Sequence, residues 1–234
     1  MGRPVTTIGF DADDTLWHNE RYFSLTQDHF AALLAEHSEK DHLMTRLLAA
    51  EKRNLPHYGF GIKGFTLSMI ETAIEVTEGR VPAKVIGEIL SAGQDMLSHP
   101  IELLPHADAV LAQMQSDFTL VLITKGDLLD QERKLAQSGL RGRFDHIEIV
   151  SRKTSSDYMR IFHQHGQGAG RGLMVGNSMA SDVRPMIEAG GWGVFVPFDL
   201  TWDIEHAEPP VDEPRFAEIS NLGQLPDLVA QITG

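Results

Sequence analysis

Three carboxylates stand close together near the start of the chain, Asp11, Asp13 and Asp14. They directly follow residues 5–10, an apolar run that predicts a short buried β-strand. Carboxylates at this spacing repel one another, and a bound cation would explain why they are tolerated. A loop that only caps the next helix needs one such residue rather than three. The motif therefore indicates a site of chemistry at the end of the first strand.

A second polar group follows another apolar run, residues 118–124. This run ends in the hydroxyl of Thr124, which Lys125 and Gly126 follow. The hydroxyl and the nearby backbone N–H groups could hold phosphate oxygens. A helix N-cap by Thr124 or Asp127 would explain the same residues, so this motif taken alone leaves both interpretations open.

A lysine that follows a third predicted strand could neutralise a phosphate. Lys153 follows a weaker third strand, residues 147–150. Lysines in loops are usually only solvated, and Lys125 and Lys134 are rival candidates.

A fourth motif follows an apolar run that ends in Gly176. Asn177 and Asp182 come next, and hard oxygen ligands at this spacing suit magnesium. The alternative is again a helix cap, with Ser178 as the N-cap and Asp182 in the first turn.

Strands that alternate with helices must position these groups. Alternation of this kind predicts a parallel sheet covered on both faces, which is a doubly wound α/β fold. In such a sheet, ligands bind at the carboxyl ends of the strands. The predicted strands are residues 5–10, 118–124, 147–150, 172–176 and 192–196. The predicted helices are residues 106–115, 128–138, 155–165, 178–189 and 222–232, with Gly139 and Gly190 at helix C-caps.

One long segment breaks this alternation. Residues 18–103 contain no run that reads as a buried strand, and their apolar residues recur at helical spacing. We therefore expect an α/β core formed by residues 1–17 and 104–234, with residues 18–103 inserted as an all-helical unit.

Composition limits the partners. The chain has 234 residues and a formal net charge of −13, which disfavours nucleic acid and anionic membranes as partners. It has no cysteine, so disulfides, thiolate catalysis and cysteine-zinc sites are excluded. With no signal-peptide pattern and no membrane-length apolar run, we expect a cytoplasmic protein. The oligomeric state stays open.

In the order of these motifs, the sequence resembles the haloacid dehalogenase-like (HAD) hydrolase superfamily over nearly its whole length. Residues 11–15 match the first motif, Thr124 the second, Lys153 the third, and residues 176–182 the fourth. A helical insert directly after the first motif matches the subgroup with an α-helical (C1) cap. One position departs from the pattern: the phosphatases of this superfamily commonly have an acidic residue where this chain has Asn177.

The resemblance implies a Mg²⁺-dependent phosphatase. Asp11 would be the nucleophile, and Asp13 would serve as general acid and then as general base. Magnesium would be held by Asp11, the backbone carbonyl of Asp13, Asn177 and Asp182. The substrate would be a small phosphorylated metabolite.

Substrate contacts would come from the core and the cap. Thr124, with Lys153, would hold the phosphate oxygens, and Lys125 and Gly126, at the same strand end, would also contact the substrate. In the cap, residues 53–65 mix glycines, aromatics and cations, which suits a loop over a ligand, with His57 and Tyr58 as substrate contacts. An ordinary turn between helices would explain that stretch equally well.

Several alternatives share the same core. A 2-haloacid dehalogenase would use Asp11 without a metal. A phosphonatase would need a cap lysine such as Lys52 or Lys63, and a sugar phosphomutase would use another cap chemistry. From a different class, the chain could be a binding module on a degenerate hydrolase scaffold, which the intact Asp11, Asp13 and Asp182 oppose.

Overall fold

The structure is a computed structural model that describes residues 4–200 and 202–234. The chain divides into two compact units. The first comprises Met1–Glu20, Ile101–Lys125 and Gln131–Gly234, and the second comprises Arg21–Pro100 and Gly126–Asp130. From the sequence, residues 126–130 were assigned to the α/β core, whereas in the structure they pack with the second unit.

Six parallel strands form the sheet of the first unit, in the order β3-β2-β1-β4-β5-β6. The chain crosses from β1 through β2 to β3 on one side and continues from β4 to β6 on the other, so the sheet is doubly wound and the predicted α/β fold class is confirmed. The strands are β1 (Thr7–Phe10), β2 (Thr119–Lys125), β3 (His146–Val150), β4 (Gly172–Gly176), β5 (Trp192–Phe195) and β6 (Phe216–Glu218).

Nine α-helices are present in the described part of the chain. They are α1 (Glu20–Leu33), α2 (Lys40–Tyr58), α3 (Ile62–Val76), α4 (Ala83–Ser98), α5 (Ala107–Met114), α6 (Leu128–Ser138), α7 (Ser155–Gln164), α8 (Arg184–Glu188) and α9 (Leu225–Thr233).

The burial of the two central strands explains why the sheet could be predicted from the sequence. Every residue of β1 and β4 is buried, as expected for parallel strands covered on both faces. Gly9 in β1 lies so close to the Ile123 side chain that an added Cβ would stand 2.8 Å from it. The sixth strand, β6, was missed because its three residues are only partly buried or exposed and carry no apolar run.

The predicted helix over residues 178–189 is interrupted in the structure. A single π-helical turn, Met179–Val183, precedes α8, and Pro185 lies in the first turn of α8. Both predicted C-cap glycines have positive φ, 73° for Gly139 and 90° for Gly190, as a left-handed cap requires.

The second unit contains α1–α4 and has its own apolar core. Large buried residues from all four helices build it: Phe30, Leu43, Leu47, Ile62, Phe65, Met69, Ile89 and Met96. The prediction of a loop over residues 53–65 is wrong. Helix α2 continues to Tyr58 with Pro56 inside it, and α3 begins at Ile62, so that only three residues connect them. Gly59 and Gly61 make this short connection possible, because both have positive φ.

None of the helices that the structure describes is long and apolar enough to cross a membrane.

Candidate active site

The carboxyl ends of the central strands bring the predicted residues to one edge of the sheet. Asp11 follows β1, Thr124 lies at the end of β2, and Asn177 follows β4. The backbone N–H of Asp11 donates to the Val175 carbonyl at 2.9 Å, which extends the pairing of β1 with β4. The chain order reverses direction between these two strands, and ligands of doubly wound sheets bind at such a switch point.

Lys153 joins the first and fourth motifs. Its Nζ donates to Asp11 Oδ1 and, at 2.7 Å, to Asp182 Oδ1, and all three side chains are buried. Two carboxylates thus share one ammonium group. Burial, followed by the charge of Asp182, raises the pKa of Asp11 to about 7 against the opposing effect of Lys153. Although burial opposes its charge, the two carboxylates hold the pKa of Lys153 above its ordinary value. Of the three candidate lysines, Lys153 is therefore the one that contacts Asp11.

Gly176 leaves the space in which Asp182 sits. A Cβ added at this glycine would lie 2.1 Å from Asp182 Oδ2, so no side chain fits there while Asp182 holds this position. The same oxygen accepts a hydrogen bond from the backbone N–H of Ser178 at 3.0 Å. Asp182 is thus fixed through both of its oxygens, by Ser178 on one side and Lys153 on the other.

Thr15 and Asn177 link the first motif to the fourth. The Thr15 hydroxyl donates to Asp11 Oδ2 at 3.1 Å and accepts from the Asn177 backbone N–H at 3.1 Å. The end of the Asn177 side-chain amide lies 3.1 Å from the carbonyl oxygen of Asp13, and 3.2 Å from both Asp11 Oδ2 and Thr15 Oγ1. With its nitrogen turned toward these oxygens, the two N–H groups of the amide have all three acceptors within reach.

The donor set around Asn177 suits a magnesium ion. Asp11 Oδ2, the Asp13 carbonyl and the Asn177 amide converge, and Asp182 lies across Lys153 from Asp11. These are hard oxygen ligands, and turning the amide would direct the Asn177 oxygen toward the others. In residues 4–200 and 202–234, no group of three or more His, Asp or Glu is arranged to hold a metal. A cation here would therefore depend on two carboxylates supplemented by neutral oxygens.

Asp13 is held by donors from two elements. Trp17 Nε1 donates to Oδ1 at 2.8 Å, Gln131 Nε2 donates to Oδ2 at 2.8 Å, and Lys134 Nζ contacts both oxygens. Burial works against ionisation, but the charge of Lys134 and these hydrogen bonds keep the pKa of Asp13 below its ordinary value. Asp13 is therefore an ionised carboxylate in this conformation.

No role was predicted for Gln131 or Trp17 from the sequence, and Lys134 was predicted only as a candidate phosphate ligand. A signal was present, because Gln131 and Lys134 are three residues apart and so lie on one face of a predicted helix.

Asp14 has a structural task. It adopts a left-handed conformation, with φ of 59°, and its two oxygens accept from the backbone N–H groups of Asn19 and Glu20 at 2.8 and 2.9 Å. These contacts cap the start of α1. Burial is the main reason that the pKa of Asp14 is raised, to about 8. One of the three clustered carboxylates is thus the helix cap, and the other two remain for chemistry.

Lys125, a predicted substrate contact, is paired with an acidic side chain, and its contact with substrate stays a prediction. Its Nζ forms an ion pair with Glu205 and donates to Ser181 Oγ at 2.6 Å. Glu205 was not predicted as a site residue, because nothing in the irregular segment after β5 singles out this carboxylate. Thr124, beside Lys125, is buried at the end of β2.

The remaining predicted contacts lie in the second unit. Gly126 packs there with Asp127, which forms an ion pair with Lys63 at 2.9 Å. His57 and Tyr58 end α2, and both side chains are exposed. Substrate contact by Gly126, His57 and Tyr58 stays a prediction.

Comparison with known proteins was made at the level of families and of solved structures. A model of the haloacid dehalogenase-like hydrolase family matches residues 5–190. Comparison with curated proteins gave no match. A haloacid dehalogenase-like family hydrolase from Xanthomonas campestris is 39% identical, with a TM-score of 0.88; the match covers 100% of this chain and 95% of that one.

Two more distant structures share the fold. A putative HAD-hydrolase from Bacillus subtilis, solved bound to magnesium, is 16% identical, with a TM-score of 0.68 over 97% of this chain and 99% of that one. A 2-haloacid dehalogenase from Pseudomonas syringae pv. Tomato DC3000 is 18% identical, with a TM-score of 0.59 over the same shares of the two chains. The family match and the 39% identical structure establish that this chain is an enzyme and belongs to the haloacid dehalogenase-like hydrolase family.

Proposed function

We propose that this protein is a Mg²⁺-dependent phosphohydrolase that transfers a phosphoryl group from a small phosphorylated metabolite to Asp11 and then to water. The observation that carries the proposal is the buried Asp11–Lys153–Asp182 group at the switch point of the sheet, with Asn177 and the Asp13 carbonyl beside it. The structure from Bacillus subtilis has the same fold and was solved bound to magnesium, which supports magnesium as the ion.

Asp11 is placed to act as the nucleophile. Its Oδ1 is engaged by Lys153, whereas its Oδ2 faces Thr15 and Asn177. Attack on phosphorus forms an aspartyl-phosphate and releases the alcohol part of the substrate, and water then hydrolyses this acyl phosphate, so that one difficult displacement becomes two easier steps. The nucleophile must be ionised, and positive charge close to Asp11 favours that form.

Asp13 handles the protons in this scheme. In the second step its ionised carboxylate takes a proton from the attacking water. In the first step it must carry a proton to the leaving oxygen. An anionic phosphate that approaches a carboxylate disfavours its charged form, so substrate binding shifts Asp13 in the direction that this step needs.

Phosphate charge is met by the chain and by the cation. Thr124 and Lys153 offer a hydroxyl and an ammonium group to the equatorial oxygens, where charge resides during phosphoryl transfer. Magnesium would be held by Asp11, Asn177, Asp182 and the Asp13 carbonyl, and when bound it would supply charge that offsets the repulsion between two anions.

The proposal is tested by release assays on the purified protein. A panel of phosphorylated metabolites is incubated with Mg²⁺ and with EDTA, and a parallel panel of 2-haloacids is assayed for free halide. We expect phosphate release that requires Mg²⁺ and no release of halide. Metal-independent halide release without phosphatase activity would instead identify a dehalogenase. In a third panel, made of phosphonates, release of phosphate would identify a phosphonatase.

A further inference from the structure

Glu205 brings an additional carboxylate to the edge of the site. It ends a short 3₁₀ turn, Asp203–Glu205, that follows β5, and its side chain is only 13% exposed. The carboxylate accepts from Lys125 Nζ and from the hydroxyls of Ser178 and Ser181, the last at 2.6 Å. An ionised group that is removed from water needs partners of this kind, and here three donors from the chain compensate the charge of Glu205.

The partners of Glu205 belong to the two segments that carry the predicted chemistry. Lys125 directly follows Thr124 at the end of β2, while Ser178 and Ser181 lie between the predicted metal ligands Asn177 and Asp182. Lys125 Nζ also donates to Ser181 Oγ at 2.6 Å. Glu205 therefore connects the end of β2 to the turn that follows β4.

A short chain of hydrogen bonds runs from Glu205 to Asp182. The hydroxyl of Ser178 donates to Glu205, and the backbone N–H of Ser178 donates to Asp182 Oδ2 at 3.0 Å. The same hydroxyl accepts from the Ser181 backbone N–H at 3.0 Å, which closes the turn. Fixing Ser178 thus fixes the carboxylate that lies opposite Asp11.

We propose that Glu205 is a positioning residue that holds the turn of residues 178–182 so that Asn177 and Asp182 face the cation. This inference rests on the proposed magnesium-dependent function. Glu205 also favours cation binding through its charge. It neutralises Lys125, whose ammonium group would otherwise add positive charge next to a cation site. Outer partners of metal ligands typically change metal affinity about 10–100-fold when they are removed.

The test measures magnesium binding without turnover. The thermal unfolding midpoint of the full-length protein is followed as Mg²⁺ is added, because a ligand that binds only the folded state raises it. In Glu205→Gln we expect about 10-fold more Mg²⁺ to be needed for the same rise in the midpoint. The matched control is Asp203→Asn, which removes the same charge from an exposed position of the same turn and should leave the titration unchanged.

A second variant separates the hydrogen bonds from the charge. Ser181→Ala removes one hydroxyl that binds Glu205 but keeps both charges and the backbone N–H that closes the turn. It should shift the Mg²⁺ titration in the same direction, and it decides the question if Glu205→Gln fails to fold. If the wild-type midpoint responds to Mg²⁺ and both variants respond as the wild type does, this inference is overturned while the proposed function stands. If the wild type itself shows no response, the magnesium dependence fails, and the inference fails with it.

Discussion

Lys134 Nζ donates to both carboxylate oxygens of Asp13, at 3.0 and 3.1 Å. The side chain of Lys134 is only 7% exposed and that of Asp13 22%, so two opposite charges that are largely removed from water compensate each other. The ammonium group also donates to Asn19 Oδ1 at 2.7 Å. The pair connects α6 to the segment that carries the proposed nucleophile.

Lys134→Met should lower the free energy of unfolding by about 2 kcal/mol, because it leaves a partly buried carboxylate without its charged donor. Urea denaturation at neutral pH measures the change. The double variant Asp13→Asn/Lys134→Met should lose less than the sum of the two single changes, since the residues interact directly. Lys52→Met, at an exposed position of α2, is the control and should change stability by less than about 0.5 kcal/mol. Additive losses would contradict a direct interaction.

Asp11→Asn should keep the fold and abolish turnover, since an amide cannot attack phosphorus. Stability gives an independent readout. The pKa of Asp11 is raised in the folded protein, from 3.8 to about 7, so the folded state binds more protons than the unfolded state between these values. In EDTA, the free energy of unfolding of Asp11→Asn should therefore rise relative to wild type as the pH increases from about 4 to about 7, and the difference should stay constant above that. A pH-independent difference would contradict the raised pKa.

The sequence was most informative where one physical constraint acted alone. Fully buried parallel strands require unbroken apolar runs, so β1 and β4 were recognised, and the polar residues that follow them were placed at one edge. Pairings between distant side chains left no such pattern. The contacts of Asp13 with Lys134 and of Lys125 with Glu205 depend on how α6 and the segment after β5 pack. A single sequence does not contain that information.

Prediction was also weak for the connection between α2 and α3, where the local backbone conformation differs from what the composition suggests. Three glycines and three aromatic residues suggested a loop over residues 53–65, but only residues 59–61 leave the helices. Proline usually ends or kinks a helix, but Pro56 did not end α2 at its own position. The helix continues for two more residues, to Tyr58.

Asn177→Asp should strengthen magnesium binding. The amide end of Asn177 lies 3.2 Å from Asp11 Oδ2 and 3.1 Å from the Asp13 carbonyl, so an aspartate there would add a third carboxylate to Asp11 and Asp182. Without metal, the added repulsion should lower the melting midpoint. Added Mg²⁺ should raise the midpoint further than in wild type, so that a given rise requires less Mg²⁺. A higher Mg²⁺ requirement would count against ligation by this residue.

His57 and Tyr58 test the role expected for the second unit. Both are exposed in the last turn of α2, so alanine there should change stability little. If they bind substrate, His57→Ala and Tyr58→Ala should change kcat/KM for some phosphorylated metabolites and alter the ranking of substrates. Hydrolysis of a small generic ester such as nitrophenyl phosphate should change little. An equal loss on every substrate would instead point to a structural role.

Asp13→Ala separates phosphoryl transfer from dehalogenation by the need for an acid. An alkoxide is a poor leaving group and needs a proton, whereas halide and nitrophenolate scarcely do. General acid–base catalysis typically contributes about 10²–10⁴-fold, so turnover of alkyl phosphates should fall by a factor in that range while turnover of nitrophenyl phosphate falls far less.

Loss of Asp13 also leaves Lys134 without its carboxylate partner, and this could disturb the site in a general way. Asp13→Asn keeps the shape of the side chain and an oxygen that can accept from Lys134, Gln131 or Trp17, so it is the matched control for packing. Because an amide cannot transfer the proton, Asp13→Asn should show the same dependence on the leaving group as Asp13→Ala. If both variants lose activity equally on alkyl and nitrophenyl esters, Asp13 acts through structure and not as the acid.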